Sequence, residues 1–366
     1  MGKQIITIFI SIIIVIMVLS KPFTAIAQED DKTLLKNLTV SGYIDAYYAW
    51  DTDKDKNLRQ FPAFEPYRDQ FKLNIAQVSF NCSTEKIRGK ATIQYGDIPK
   101  VLYPSDQQYI QEANVGVSPC KNLWFDIGYF ITHIGPESFP MNNFFSSYAM
   151  GSYYEPLYQS GIKISYDFCD KFSGCLHILN GYNLFDDNNN HKSFGLQLTY
   201  KAADKLSFVY NNIIGDEMPT SGDNSKIRFY NNFITYFSPT DKLDFILGLD
   251  FATQEKSKLS DASASASLFS MMLSGRYKIT PKFFFSLRGE YFNDAEGFLS
   301  GNFIDETGKT TGLNTWGITG AFEYRPVENY YIRLESRLLS ADNKLKIFYD
   351  NSNTRTEVTL NSGIQF

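Results

Sequence analysis

The chain has 366 residues, with 40 Asp and Glu against 35 Lys and Arg, and its formal charge of −5 speaks against a nucleic-acid partner. Its 31 Phe, 24 Tyr and 3 Trp exceed what an ordinary soluble fold needs, and suit the aromatic girdles that a barrel carries at two membrane interfaces. The mean hydropathy of −0.26 excludes nothing here, because an alternating barrel wall hides its lipid face from an average.

The N-terminus comes first. Lys3 precedes an apolar run from Ile5 to Leu19, and Ala25-Ile26-Ala27 forms a small-x-small cleavage site. This pattern predicts a secretory signal peptide over residues 1–27. A retained membrane helix needs about 20 apolar residues, more than this run supplies. Removing Lys3 and Lys21 with the signal takes the charge from −5 to −7. After Ala27 no stretch is long and apolar enough to span a membrane as a helix, and 28–366 reads as one domain without a linker.

A short punctuation mark then recurs, as in Glu85-Lys86-Ile87, Asp170-Lys171-Phe172, Asp204-Lys205-Leu206 and Asp241-Lys242-Leu243. With related marks at Leu123, Phe283 and Tyr330, seven turns follow one another at spacings of 34 to 49 residues. That period holds two strands and one longer loop, so each mark is the tight end of a hairpin. Apolar and polar residues alternate between the marks, cleanly in Leu38–Trp50, Leu243–Phe251, Phe283–Tyr291 and Tyr330–Leu338. Around Leu206–Ile214 and Ile227–Phe237 the alternation is less clean, and Phe229, Tyr230, Asn231 and Asn232 fit either face.

The last strand, Thr354 to Phe366, puts Thr356, Val358, Leu360, Ile364 and Phe366 on one face. Arg355, Glu357, Thr359, Asn361, Gly363 and Gln365 fall on the other, as side chains alternate across a strand. The total is sixteen strands, with seven short turns and eight longer loops. The expected fold is an all-β transmembrane antiparallel barrel with short periplasmic turns and long extracellular loops. A sheet in hydrocarbon cannot leave an edge unpaired. The first strand, with Leu38, Val40, Ile44, Tyr48 and Trp50 outward, must therefore pair with the strand ending at Phe366.

Two segments carry a family resemblance. Asn180-Gly181-Tyr182-Asn183 through Asp187-Asn188-Asn189-Asn190 and Lys192-Ser193-Phe194-Gly195 resembles the signature of the OmpL-like β-barrel porin-2 family. Gly135-Pro136-Glu137-Ser138, Asn142-Asn143 and Pro156 resemble that family's third-loop region. The resemblance implies an outer-membrane porin of a Gram-negative bacterium. Tyr182 stands where the family usually has Trp, and Ser146-Ser147-Tyr148 lacks the arginine of a Ser-Arg-Ser-like run, so no constriction charge is carried over from it.

In a pore the inward face is the functional surface. The predicted inward charges are Asp45, Lys90, Glu112, Asp126, Lys163, Asp244, Asp250, Arg276, Arg288, Glu290, Glu323, Arg325, Arg333, Glu335, Arg337, Arg355 and Glu357. Eight basic against nine acidic residues imply no strong ion preference. The arginines cluster on the last five strands. The longest loop, residues 131–157, has no Lys or Arg but holds Glu137, Glu155 and many aromatics. It is the candidate constriction: folded inward, it would face the arginine wall across a narrow zone with a transverse field. The competing arrangement has the loop capping the barrel outside, with the arginines paired to Glu residues on neighbouring strands. The candidate pore-lining set is Glu137, Glu155, Arg276, Arg288, Glu290, Arg325, Arg333, Glu335, Arg337 and Arg355.

The function expected is passive diffusion of small hydrophilic solutes or ions, without catalytic residues, metal or cofactor. Partners are the solutes and outer-membrane lipid, with a homotrimer by analogy. A saccharide-specific channel is one alternative. Another is a phospholipase-like barrel enzyme with His177 and Ser165 or Ser173 on its outer wall, although no nucleophile motif is present. Asp186-Asp187-Asn188-Asn189-Asn190 has hard oxygen ligands but His191 where a calcium loop wants Gly, so a solvated loop is expected. Three of the four cysteines, Cys82, Cys120, Cys169 and Cys175, lie at or beside short turns; an oxidising compartment would permit a bridge such as Cys82–Cys120, but free or incidentally paired thiols are the expectation.

Overall fold

The computed structural model describes residues 36–54, 57–219 and 225–366. The expected signal peptide lies outside the described residues. Thirteen strands come first: β1 (Leu38–Asp51), β2 (Phe71–Ser83), β3 (Ile87–Tyr95), β4 (Ile110–Cys120), β5 (Leu123–Ile131), β6 (Tyr158–Cys169), β7 (Phe172–Leu179), β8 (Ser193–Ala203), β9 (Leu206–Asp216), β10 (Ile227–Thr240), β11 (Leu243–Gln254), β12 (Ala266–Lys278) and β13 (Phe283–Asp294). A small hairpin, β14 (Phe303–Ile304) with β15 (Thr310–Thr311), precedes β16 (Leu313–Val327), β17 (Tyr330–Ala341) and β18 (Thr354–Gln365). Two short helices, α1 (Asp97–Leu102) and α2 (Met150–Tyr154), lie in loops.

All strands except the β14–β15 hairpin form one closed barrel of sixteen antiparallel strands. β1 pairs β18 from Tyr43↔Gln365 to Asp51↔Glu357. Beyond that ladder, Gly42 N–H donates to Phe366 O at 2.7 Å and Phe366 N–H donates to Gly42 O at 3.0 Å. The terminal ring lies over Gly42, where a Cβ would stand 2.4 Å from Phe366 Cζ. The glycine lets the last aromatic seal the seam, which satisfies the edge that hydrocarbon would leave bare.

Leu38, Val40, Ile44, Trp50, Leu360 and Ile364 point outward and are exposed, as expected, and so do Ile127, Phe251, Leu287, Phe322 and Leu334. This is the lipid face. Rings gather where strands meet the short turns: Phe168 stacks on Phe172 at 5.1 Å, and Phe283 on Tyr324 at 4.7 Å.

The ambiguous pair β9–β10 has a simple explanation. Phe229 and Phe233 face lipid while Tyr230 and Asn232 are buried inside. Asn231 sits on the outer face opposite Asn212. Tyr210 O–H donates to Asn231 Oδ1 at 2.8 Å, and Asn212 Nδ2 donates to the same phenol oxygen at 3.1 Å. The polar atoms satisfy one another, so two asparagines tolerate a face that should read as apolar.

Candidate functional site

The loop between β5 and β6, residues 132–157 (L3), folds into the lumen and lies against the arginine-bearing strands. Its lack of Lys and Arg has a physical role: the loop presents backbone groups, and the wall presents charges to meet them. Glu335 accepts from Ser146 N–H at 2.6 Å and Ser147 N–H at 3.2 Å, and Glu290 accepts from Met150 N–H at 2.6 Å. Arg333 donates to Pro140 O at 3.0 Å and Asn143 O at 2.9 Å, while Arg325 reaches Met141 O. Arg288 donates to Ser147 O at 2.8 Å and pairs with Glu137 at 2.8 Å. The guanidinium groups of Arg288 and Arg276 sit over the rings of Phe145 and Phe144, at 4.8 and 4.4 Å from the ring centroids.

Two expectations need correction. First, the arginines do not face the loop across an open gap. Arg288, Arg333, Arg337 and Arg355 are completely buried, and each is paired. Arg333 pairs with Glu323, its cross-strand neighbour. Arg337 holds Glu290 at 2.9 Å, Arg355 holds Glu357 at 2.8 Å, and Arg276 holds Asp244 at 3.0 Å. The loop is inside and the strands are cross-paired, so elements of both arrangements coexist. The transverse field collapses into contacts.

Second, Glu155 does not meet the arginine wall. It turns to β10 and β11, where Asn232 Nδ2 donates to Asp250 Oδ1 at 2.7 Å and to Glu155 Oε1 at 3.4 Å. Burial, then the neighbouring Asp250 and Glu137 carboxylates, hold the Glu155 carboxyl well above the usual carboxylate range. A Cβ on Gly151 would stand 2.0 Å from Ser270 Oγ, so this side of L3 approaches the wall at backbone distance.

A second loop, residues 52–70 (L1), also enters the lumen, and sequence reasoning missed it. Arg59 donates to Asp51 at 2.8 Å and pairs with Glu357. Glu65 repeats the device of Glu155: Asn361 Nδ2 and Asn74 Nδ2 each donate to both Glu65 and Asp45, at 2.7 to 3.2 Å. Burial and the nearby Asp45 and Glu335 charges push Glu65 up to about 8. The available signal was composition. Arg59, Phe61, Phe64, Tyr67 and Arg68 in one loop do not suit a solvated exterior.

Apolar packing completes the inner layer. Ile134, Met150 and Tyr154 of L3 join Leu179, Ile213 and Tyr230 on one side to Phe292, Leu313 and Leu339 on the other. Phe64 of L1 packs with Tyr148, Met141 and Ile98 in a second cluster. The extracellular half of the lumen is therefore narrowed by packed side chains. The periplasmic half of β3–β12 is different: the inward Lys90, Lys163, Ser165, Asp167, Ser173, Thr199, Lys201, Tyr236, Ser238 and Arg276 are half-buried or exposed to water. Recesses of about 430 and 580 Å³ open there, beside Asp167, Ser173 and Thr199 and beside Lys201, Ser207 and Tyr236.

A closed sixteen-stranded wall, greasy outside and bearing inserted loops, agrees with the comparison with known families. The family model described as "Putative beta-barrel porin-2, OmpL-like" matches residues 37–366. The chain belongs to this porin family. It is an outer-membrane protein of a Gram-negative bacterium. No curated protein matches it in sequence. Among solved structures, the outer membrane channel DcaP of Acinetobacter baumannii is similar at a TM-score of 0.61 with 13% identity, over 90% of this chain and 97% of that one. The trimer form of OmpT from Vibrio cholerae gives 0.60 with 11% identity, over 90% and 99%. Salmonella typhi OmpF, in complex with daunomycin, gives 0.56 with 11% identity, over 90% and 97%. At these identities the likeness concerns the fold.

Other candidates find places in this porin. His177 faces the lumen rather than the outer wall, stacked on His133 with ring centroids 3.9 Å apart. His133 bonds Gln159 and the Asn212 carbonyl at 2.9 Å each, and Ser165 Oγ contacts Cys175 Sγ. Asp187 accepts from Asn189 N–H at 2.9 Å and Asn190 N–H at 2.8 Å and pairs with Lys192, so the Asn-rich loop is closed by its own turn. Among the described residues no three His, Cys, Asp or Glu side chains gather as a metal site. Cys82 on β2 and Cys120 on β4 have β3 between them. Two strand spacings are about 10 Å, beyond the roughly 7 Å that a disulfide's Cα atoms allow.

Proposed function

We propose that this porin lets small hydrophilic solutes and ions diffuse passively along the wet wall of β3–β12, and that L3 limits the passage. The observation that carries the reading is the seating of L3 inside the barrel, above a lumen wall of hydrated Ser, Thr and Lys side chains. Pores select by diameter and by the groups that line them. Here Glu137, Glu290, Glu335, Arg288 and Arg333 act by seating the loop, and Arg276 and Arg325, less deeply buried, reach the water beneath it. Glu155, Arg337 and Arg355 complete the set that fixes the constriction. The reading involves no covalent chemistry and no cofactor. A homotrimer in lipid is proposed by analogy with the trimer form of OmpT from Vibrio cholerae.

Deleting residues 139–150 should raise single-channel conductance in planar bilayers. An unchanged conductance would remove L3 as the limiting element. Proteoliposomes of the intact protein that stay impermeable to ions and sugars would sink the diffusion reading itself.

A further inference from the structure

We infer that Lys163 gives the lumen a preference for small anions over cations, a step that rests on the diffusion reading above. Of the eight basic side chains expected to face inward, seven have a carboxylate partner. Those on β13, β16, β17 and β18 lie mostly buried beneath L3 and L1, where ion pairs cancel their fields. On the wet wall Lys90 pairs with Glu112 and Arg276 with Asp244. Arg88, also inward, holds Asp126 through two nitrogens. Lys163 makes no ion pair among the described residues. Its ammonium stands 4.7 Å from the centroid of the Phe130 ring.

The cross-strand neighbours of Lys163 are Asp126 and His177. Asp126 is already neutralised by Arg88, so Arg88, Asp126 and Lys163 together carry one net positive charge whichever way the lysine turns. His177 adds no negative charge, and neither of its ring nitrogens has a protein partner. Gln159, Ser165, Ser173 and Thr199 around it are neutral. At the periplasmic rim, Asp167 and Lys201 offset one another. The lumen at this depth is therefore positive although the whole chain carries −5. A charge on a pore wall acts over a Debye length, about 8 Å at physiological salt and about 3 Å at 1 M.

The test is the reversal potential of the intact protein in planar bilayers across a KCl gradient, near about 0.1 M and again near about 1 M salt. The expected wild-type sign is that of chloride preference, stronger at the lower salt. K163M and K163Q should move the potential toward zero, and K163E should carry it through zero. A cation-preferring wild type overturns the inference and leaves diffusion standing. So do K163M and K163Q channels that conduct with the wild-type potential. A wild type with no conductance removes both.

Discussion

Two walls of this barrel follow the same outward rule and opposite inward ones. On β13, β16, β17, β18 and β1 the inward positions are charged and buried, with Arg288, Glu290, Glu323, Arg333, Glu335, Arg337, Arg355 and Glu357 interlocked beneath two loops. On the periplasmic half of β6–β9 they include Ser165, Ser173, Thr199 and Ser207, small and open to water. The comparison shows that charge in a lumen is not the same as charge presented to a solute. A buried ion pair with its hydrogen bonds filled is a fastening, and its desolvation is tolerable only while both partners remain. The wet wall has no such obligation, so the solute meets it instead.

The largest effect should come from breaking the fastening on one side. Arg333→Met leaves Glu323 with Arg325 alone and strands the Pro140 and Asn143 carbonyls. Removing one partner of a buried pair costs about 3–5 kcal/mol. The denaturant midpoint of protein refolded into vesicles should fall accordingly, and L3 should become open to protease. An unmoved midpoint would mean that the arginine wall does not seat the loop. Glu335→Leu is the milder version, leaving the Ser146 and Ser147 N–H groups buried without acceptors at about 1–3 kcal/mol. Its loss should be confined to L3 protection and conductance.

The carboxyl pairs at the other contacts of the loops should respond to pH. Glu65, held near 8 by burial, and Glu155, also raised, face Asp45 and Asp250, and the donors bridging each pair are asparagines. A carboxyl whose folded value lies above its ordinary value of about 4.3 holds its proton in the folded state. The stability it lends is full below that ordinary value and drains as pH climbs through the raised one. L1 and L3 should thus sit firmly at pH 5 and loosen toward pH 9, read as rising conductance. Glu155→Gln and Glu65→Gln should flatten that rise, because the amide keeps the neutral form at every pH. A conductance independent of pH, or a rise that both variants retain, would exclude these pairs as pH-sensitive anchors.

How much of this was legible follows from what alternation encodes. Lipid demands an apolar outer face on every strand, so Ile44, Phe251, Phe322 and Leu360 announce themselves, and all sixteen strands fall where the pattern puts them. Asn212 and Asn231 blurred two strands because Tyr210, a neighbour only in space, satisfies them. The inward direction of the arginines was legible, but their partners were not. Glu155 meets Asp250 rather than an arginine, and Arg59 meets Glu357 some 298 residues away, because such pairings depend on position around the barrel. The expected balance of eight bases against nine acids left out the inward Arg88, Asp167 and Lys201, and it is uninformative as a field, since register decides which charges cancel. L1 was passed over because its length is ordinary; its aromatics and arginines were the clue.

The smallest effect should lie on the wet wall, and its smallness is what makes the comparison sharp. Thr199 faces the lumen from β8, half-buried, opposite Ser173 on β7 and Val209 on β9. Thr199→Val keeps the β-branched shape that a strand favours and removes one hydroxyl that water otherwise satisfies. A surface change of that kind stays within about 0.5 kcal/mol, so the denaturant midpoint should match wild type. Conductance should change only slightly, since one hydrated hydroxyl among many is lost. If Thr199→Val instead destabilised the barrel as Arg333→Met is expected to, the side chains of that wall would be packed rather than wet. The path for solutes would then have to lie elsewhere in the lumen.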